Sequence, residues 1–190
     1  KINGRRSDLF AEKNARLILE NLDPNAVLFV YGDSETGPIG YLHYAEKFRP
    51  DVQVYSLQGL VFPNRLFSPL ISDRKKRWAV EEFVRNTSLP VYFMTSEKDF
   101  PNPFGIIHYG FYKKVNRKGN SSSIQLRFDQ GSQDYFYSLV RSPQPLDRWN
   151  RHRYNKLMHQ FGDFLGYSVL SRNPLLSRKA VPLLEAMQYQ

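Results

Sequence analysis

Three short apolar segments, separated by stretches that can form helices, constrain the fold of this chain most strongly. Residues 26–31, 52–57 and 90–95 are rich in Val, Tyr and Phe, and such short apolar runs indicate buried strands. About twenty residues with one predicted helix separate the first two runs, which is the size of a right-handed parallel crossover. We therefore predict an α/β fold with a Rossmann-like three-layer core, in which a mainly parallel sheet follows the order βαβαβ.

The helices between these strands are predicted from apolar spacing and from capping residues. Ala11, Ala15, Ile18 and Leu22 recur on one helical face, and Ser7 is placed to cap that helix. Residues 32–37 are predicted to form a loop, with the next helix beginning at Pro38, because proline is favoured in a first helical turn. Asp73 is predicted to cap a third helix, which runs through Trp78, Val80, Phe83, Val84 and Thr87.

The remainder of the chain has a different character. Residues 104–115 are predicted to be extended, Asn116–Ser121 to form a hairpin loop, and the alternating segment 124–128 to be a strand. These elements would add an antiparallel hairpin to the sheet. Asp147 is expected to cap a long helix that ends at Asn173, with a short helix from about Ala180. We predict an α/β domain at 1–145, with its hairpin extension from about 104, and a helical arm at 146–190, packed on it or leading to further helices.

Composition limits the chemistry of this chain. The 190 residues include no Cys, which excludes a disulfide scaffold, a thiolate metal site and a cysteine nucleophile. No apolar run approaches the ~20 residues that span a bilayer. Because the chain begins with Lys1 and shows no signal peptide, we expect it to be an excised piece of a longer protein.

The net charge of +9 admits several partners, namely nucleic acid, anionic lipid or an anionic substrate. The densest cationic clusters are Arg74–Arg77, Lys113–Lys118 and Arg148–Arg153, and no nucleic-acid-binding motif accompanies them. A solvated cationic surface is the simplest interpretation, and proximity to an anionic membrane surface is the next. We predict no nucleic-acid partner.

Polar residues follow each predicted parallel strand, where ligands of open α/β sheets bind. If the topology holds, four acids converge at this end of the sheet with two cations nearby. The candidate ligand-binding rim consists of Asp33, Glu35, Thr36, Arg65, Glu97, Lys98 and Asp99.

Several chemistries at this rim are weighed against a structural role. Asp33-Ser34-Glu35 is similar to the Asp-x-Asp motif of nucleotide-sugar glycosyltransferases, in which carboxylates hold a divalent metal, so Asp33 and Glu35 are a weak metal-site alternative. The competing interpretation is that Asp33 and Thr36 cap the following helix. Gly32 and Gly37 have phosphate-loop spacing, but Pro38-Ile39 replaces the required Lys-Ser. We predict no catalytic residue and no cofactor in this chain.

The four histidines give no zinc signature. His43, His108, His152 and His159 form no pair at the spacing that zinc-binding helices use. His43, in the predicted helix after Pro38, is interpreted as a surface or core histidine rather than a catalyst. A dedicated metal site is therefore not predicted.

The stretch Ala26–Pro63 resembles a family of polytopic membrane proteins related to protein O-mannosyltransferases, long known only as proteins of unknown function. An apolar strand, a Gly-Asp pair, a polar loop and an Arg-Pro-Asp element before a second strand carry the resemblance. The matching positions are Gly32, Asp33, Pro38, Tyr41, Leu42, Glu46, Arg49, Pro50, Asp51 and Val52.

The resemblance implies that the catalytic acid lies in a membrane-embedded half that this chain lacks. The chain would then be an extracytoplasmic accessory domain on the periplasmic face, tethered to the cytoplasmic membrane. Its partners would be the membrane-embedded part of the same polypeptide and a glycan or protein acceptor. Two alternatives remain open: a stand-alone glycosyltransferase-like enzyme using Asp33, Glu35 and Glu97 for a metal and a nucleotide-sugar, and a protein-interaction module using the aromatic loop 58–72.

Overall fold

The structure, a computed structural model, describes residues 10–94, 104–120, 124–141, 148–171 and 173–188 of the chain. The described helices and strands alternate in the first half of the chain, whereas three helices follow one another in the second half. In chain order the elements are α1 (Phe10–Asn21), β1 (Val27–Val30), α2 (Asp33–Gly40), a π-helical turn (Tyr41–Ala45), β2 (Gln53–Ser56), α3 (Asp73–Asn86), β3 (Val91–Phe93), β4 (Phe104–His108), β5 (Lys113–Asn120), β6 (Ile124–Leu126), α4 (Gln130–Arg141), α5 (Arg148–Leu170) and α6 (Pro174–Gln188).

The strands form a mixed sheet in the order β2-β1-β3-β5-β4-β6. β1 pairs in parallel with both β2 and β3, with Leu28 opposite Val54 on one side and Tyr92 on the other. β5 pairs with β3 in the antiparallel direction. The predicted α/β fold, with parallel central strands, added antiparallel pairing and C-terminal helices, is therefore confirmed.

Alternating residues of the central strands face α3. Val27 and Phe29 of β1 and Phe93 of β3 share a buried cluster with Val80 and Val84 of α3. The Phe29 and Phe93 rings stack with centroids 4.8 Å apart. Successive side chains of a strand point to opposite faces, and Leu28 and Val30 are fully buried as well. The central strands β1 and β3 are thus covered on both faces, which explains why they lack charged and strongly polar positions.

The predicted loop at 32–37 is wrong, because α2 begins at Asp33. The backbone carbonyl of Gly32 accepts hydrogen bonds from the N–H groups of Glu35 (3.1 Å) and Thr36 (3.0 Å), which starts the helix directly after β1. Gly32 itself has φ +80°, a conformation that glycine adopts without steric cost. Pro38 therefore lies inside the helix and not in its first turn.

The predicted hairpin loop at Asn116–Ser121 is also wrong, because β5 continues through Asn120. The guanidinium of Arg117 donates hydrogen bonds to the carbonyl oxygens of Leu89 (2.8 Å) and Val84 (3.4 Å). These long-range contacts hold a turn-like sequence in a strand. In the sheet order β4 lies between β5 and β6, so those two strands do not form a hairpin with each other.

Contacts divide the chain into two compact units. The first comprises 1–106 and 112–124, and the second comprises 107–111 and 125–190. In the second unit α6 packs against α5 and contacts α4. Phe161 of α5 stacks on Phe136 of α4, with ring centroids 4.4 Å apart. The domain boundary near residue 145 stays a prediction. No helix in the described part of the chain is long and apolar enough to cross a membrane.

Two details of the helical second unit differ from the sequence prediction. Helix α4 was not predicted at all, and α6 begins at Pro174, earlier than the expected start near Ala180. The side-chain oxygen of Asn173 accepts a hydrogen bond from the N–H of Leu175 at 3.0 Å, so Asn173 serves as the cap of α6. The predicted caps Ser7 and Asp147 lie outside the described residues. The predicted cap Asp73 is wrong, because Ser72 holds the cap position and Asp73 is the first residue of α3.

Candidate functional site

The first part of the candidate rim is the junction between β1 and α2. Glu35 is 9% exposed, and its carboxylate accepts a hydrogen bond from the N–H of Tyr31 at 3.1 Å. Glu35 is the third residue after the N-cap Gly32, and its carboxylate reaches back to the N–H of the residue before the cap. The interpretation that Asp33 and Thr36 cap the helix is wrong, because Gly32 holds the cap position and no side chain caps it.

The other rim residues differ in exposure. Asp33 is exposed in the first turn of α2, where a negative charge is favourable beside the helix N-terminus. Thr36 is 3% exposed, and its hydroxyl has no hydrogen-bond partner among the described residues. Arg65 is exposed in the loop that follows β2. Glu97, Lys98 and Asp99 lie outside the described residues.

The convergence of four acids at this rim therefore stays a prediction. Asp33, Glu35 and Thr36 do lie together at the carboxyl end of β1, because they occupy the first turn of α2. Within the described ranges, no group of three His, Asp or Glu side chains is placed to hold a metal ion.

A π-helical turn follows α2 and was not predicted. Pro38, inside α2, provides no N–H for the helical hydrogen-bond ladder, and the wider turn Tyr41–Ala45 begins three residues later. The Tyr44 ring lies 5.4 Å from the ring of Phe62, which is 2% exposed. Burial raises the pKa of Tyr44. A Cβ atom added to Gly40 would approach Phe62 to 2.8 Å, so a larger residue there would require the Phe62 ring to shift.

Arg49 makes the densest set of polar contacts in the segment that carries the resemblance. Its guanidinium donates to the carbonyl oxygens of Leu19 (2.6 Å), Leu22 (3.0 Å) and Asp23 (3.0 Å), which belong to the last turn of α1 and the residues after it. It also donates two hydrogen bonds to the carboxylate of Asp51, both 2.8 Å long. Through these hydrogen bonds, Arg49 links the end of α1 to the residues just before β2.

Two carboxylates complete this junction. Asp51 accepts a hydrogen bond from the N–H of Asn25 at 3.0 Å, and its bond with Arg49 holds the pKa of Asp51 well below the usual range. Asp23 forms an ion pair with Lys114 of β5. Burial of Asp23 acts to raise its pKa, but the hydrogen bonds that its carboxylate accepts, chiefly from Lys114, have the larger effect. The pKa of Asp23 therefore lies below its usual value.

A second candidate surface lies on the outer side of α3. Val80 and Val84 face the core, whereas Trp78, two residues before Val80, is 64% exposed. An open groove of about 450 Å³ runs beside the indole, lined by Trp78, Ala79, Glu82, Phe83, Asn86 and Thr87. The carboxylate of Glu82 accepts hydrogen bonds from Asn86 (2.8 Å) and Arg85 (3.2 Å). The sequence prediction counted Trp78 simply as a member of the helix and did not identify this surface.

The first unit is a mixed α/β domain with a polar junction at Arg49 and an exposed aromatic groove on α3. Comparison with known proteins relates this domain to a family. Residues 11–63, from α1 to the loop after β2, match the family described as TMEM260-associated domain 2. The chain is also 26% identical over 126 residues to the "Protein O-mannosyl-transferase tmem260" of Dictyostelium discoideum.

The predicted resemblance is therefore confirmed: this chain contains a domain related to the O-mannosyltransferase family. The match to the Dictyostelium protein covers 55% of this chain and 15% of that relative. The chain thus spans only a small part of the relative's length. No solved structure matches the chain significantly.

The residues that carried the resemblance are explained by the geometry of the fold. Arg49 and Asp51 tie helix to strand through their hydrogen bonds, and Gly32 supplies the positive φ at the start of α2. Glu46 accepts a hydrogen bond from Arg16 of α1 at 3.2 Å. Within the matched segment, these positions support the fold rather than line a groove.

Proposed function

We propose that this chain is an accessory domain of a membrane glycosyltransferase-like protein, where it positions an acceptor or docks onto the catalytic part without performing the chemistry. The relation to the O-mannosyltransferase family supports the parent activity. The accessory role is supported chiefly by the hydrogen bonds that Arg49, Asp51 and Glu35 make. Each of these charged side chains in the matched segment is committed to the backbone of this domain.

The proposed location follows from the resemblance rather than from the described residues. In this proposal the domain lies outside the cytoplasmic membrane, on the periplasmic face, and is tethered to membrane-embedded segments of the same polypeptide. Sequencing the complete gene tests this directly. Several hydrophobic spans encoded before Lys1 are expected, and a Met codon in place of such spans would contradict the tethered arrangement.

The alternative function is a nucleotide-sugar enzyme that uses Asp33 and Glu35 as metal ligands. Both carboxylates lie in the first turn of α2, at the strand end where α/β enzymes bind substrates. Glu35 already accepts the N–H of Tyr31, so metal binding would take a carboxylate from the helix junction. The hydrogen bond of Glu35 to Tyr31 therefore favours the accessory role. Asp33 is the better position at which to test metal binding, because it is exposed.

Thermal unfolding of the 190-residue chain distinguishes the two functions. For an accessory domain, we expect Mn²⁺ with GDP-mannose or UDP-linked sugars to leave the midpoint unchanged. Binding would be detected easily, because a ligand at 100 times its Kd adds about 2.7 kcal/mol to the free energy of unfolding. A midpoint rise of several degrees that disappears in Asp33→Asn would contradict the accessory role and establish a metal-nucleotide site.

The acceptor is tested in the same way with different ligands. Mannosylated glycans and extended Ser/Thr-rich peptides are the two acceptor classes that the proposal admits. A midpoint rise with either, at ligand concentrations where nucleotide-sugars give none, would identify the class. If neither class shifts the midpoint and the chain instead captures its own membrane-embedded part, docking is the function.

A further inference from the structure

Four large apolar side chains are exposed within one segment of the first unit. Leu60 is 47% exposed, Val61 70%, Leu70 92% and Trp78 64%. Isolated exposed apolar residues are ordinary, but a contiguous group of them marks an interaction surface. We call these four residues, together with the cations at the start of α3, the interfacial surface.

The later part of the loop 58–72 and α3 lie on the same side of the sheet. Leu66 and Phe67 of the loop pack against the buried cluster to which Val80 and Val84 of α3 belong. Leu70 and Trp78 do not enter this cluster and are exposed, whereas Phe62, earlier in the loop, packs against Tyr44. Leu70 precedes the helix by three residues, so it lies close to the first turn of α3.

A strained turn holds two of these side chains outward. The N–H of Phe62 donates to the carbonyl oxygen of Leu60 at 3.0 Å, which closes a three-residue turn around Val61. Val61 has φ +75°, a conformation that is rare and costly for a β-branched residue. Phe62 is 2% exposed and anchors the turn, whereas Leu60 and Val61 face solvent.

The charge around this surface is strongly positive. Residues 58–78 contain the five cations Arg65, Arg74, Lys75, Lys76 and Arg77 and one acid, Asp73. Lys76 pairs with Asp73 at 3.3 Å. Arg74, Lys75 and Arg77 are exposed, and in the part of the chain that the structure describes none of them forms an ion pair.

The acids further along α3 do not neutralise these three cations. The carboxylate of Glu82 is bound by Arg85 of the next turn and by Asn86. Glu81 is half-buried, whereas Arg74, Lys75 and Arg77 are open to solvent at the beginning of the helix. The first turns of α3 therefore present uncompensated positive charge beside exposed Leu70 and Trp78.

We propose that the interfacial surface binds the surface of an anionic lipid bilayer. Trp and aliphatic side chains insert favourably at the boundary between headgroups and acyl chains, and Lys and Arg beside them contact lipid phosphates. A free phosphate would satisfy the cations but give the exposed Trp78, Leu70 and Val61 nothing to contact. The inference deepens the proposed membrane-tethered role and rests on it, since it states which face of the domain meets the membrane.

Trp78 provides a direct probe of this contact. The chain has two Trp residues, Trp78 and Trp149, so the Trp149→Phe variant of the full chain leaves Trp78 as the sole indole. The vesicles contain phosphatidylcholine and about 30–40% phosphatidylglycerol, which gives a strong negative surface potential. On binding to them, we expect the fluorescence emission of Trp78 to shift to the blue and to be quenched by brominated acyl chains. Vesicles of phosphatidylcholine alone are expected to give much weaker binding.

Charge placement is tested with two variants of equal net charge. Each cation near an anionic surface contributes about a fivefold factor in affinity, so R74Q/K75Q/R77Q is expected to weaken vesicle binding roughly 100-fold. The matched control K118Q/R178Q/K179Q removes three exposed cations elsewhere and is expected to retain binding within a few-fold. Equal loss in both variants, or binding that ignores lipid charge, would overturn the proposal.

The apolar contribution is tested separately in the otherwise unaltered chain. Trp78→Ala and Val61→Ser are expected to reduce binding to anionic vesicles about tenfold or more while the thermal midpoint is retained, because both side chains are mostly exposed. Unchanged vesicle binding in both variants, or full competition by millimolar inorganic phosphate, would contradict insertion. Association of the chain with a soluble peptide through Trp78, without any vesicle binding, would assign the surface to a protein partner instead. None of these results depends on the nucleotide-sugar experiment, so the two proposals fail separately.

Discussion

Arg49 and Asp51 form a two-point ion pair, with Nε and Nη2 of the arginine each 2.8 Å from a carboxylate oxygen. The remaining donors of Arg49 bind the carbonyl oxygens at the end of α1, and Asp51 also accepts the N–H of Asn25. Planar guanidinium and carboxylate groups fit each other in this geometry, and the arrangement satisfies helix carbonyls that have no partner within the helix. The Arg-Pro-Asp element is therefore a junction between helix and strand.

Replacing Arg49 by Lys tests this role. An ammonium cannot reproduce the two-point pair and the three carbonyl contacts together, so we expect Arg49→Lys to lower the free energy of unfolding by about 2–4 kcal/mol. The matched control is Arg85→Lys, whose arginine forms only an exposed pair with Glu82 and should lose no more than about 0.5 kcal/mol. Urea unfolding curves measure both, and equal losses would show that Arg49 is an ordinary surface residue.

The pKa of Asp51 predicts a dependence of stability on pH. Hydrogen bonding to Arg49 lowers the pKa of Asp51 in the folded state, so the contribution of this carboxylate is fully present above the unfolded value of about 3.9. It is lost as the pH falls below that value towards the lower folded pKa. Asp51→Asn should therefore be less stable than the parent chain at pH 7, by about 1–2 kcal/mol. The difference should narrow from pH 4 downward, and a difference that is constant with pH would contradict the assignment.

The two acids of the candidate rim should behave differently. Glu35→Ala removes the acceptor of the Tyr31 N–H and should cost about 1 kcal/mol of stability, whereas Glu35→Gln keeps an acceptor oxygen and should cost less. Asp33→Asn should change stability by no more than about 0.5 kcal/mol, since Asp33 is exposed in the first helical turn. Chemical denaturation of the three variants checks this order. A larger loss for Asp33→Asn than for Glu35→Ala would reverse the roles assigned to these carboxylates.

The parallel part of the fold could be predicted from the sequence because its signals are local and redundant. Val27–Val30, Gln53–Ser56 and Val91–Phe93 all lie inside the predicted strands, because short apolar runs rich in Val, Tyr and Phe favour strands over helices. The crossover lengths then restrict the pairing to a parallel arrangement. The chain direction of these strands also places Asp33 and Glu35 at the end where the candidate rim was predicted.

The errors have identifiable physical causes. Glycine and proline at 32, 37 and 38 are typical of a loop, but the carbonyl of Gly32 and the carboxylate of Glu35 provide the contacts that begin α2 earlier. The turn-like segment around Arg117 is held as a strand by hydrogen bonds to Leu89 and Val84, which are remote in sequence. Such long-range contacts cannot be read from local composition.

Helix α4 and the surface around Trp78 were missed although signals for both exist in the sequence. Asp129 accepts a hydrogen bond from the N–H of Ser132 at 2.7 Å, which is an N-cap, and Tyr135, Phe136, Leu139 and Val140 follow with helical spacing. On α3, a separation of two residues turns a side chain by about 200° on a helix, so Trp78 and Val80 cannot share a buried face. The angular position of Trp78 around α3, rather than its hydrophobicity, therefore predicts that its indole is exposed.

Gly110 allows the packing of the second unit to be tested. It has φ +93°, and a Cβ atom added there would lie 2.5 Å from the Phe161 ring, so Gly110→Ala combines backbone strain with a clash in the aromatic core. We expect a loss of about 3 kcal/mol or more, given the strain and overpacking costs. The matched control is Gly166→Ala within α5, where nothing lies within 4 Å of the added Cβ and alanine should stabilise the helix by about 0.5–1 kcal/mol. Thermal unfolding of both variants measures the contrast. Equal effects would mean that Phe161 does not pack over Gly110.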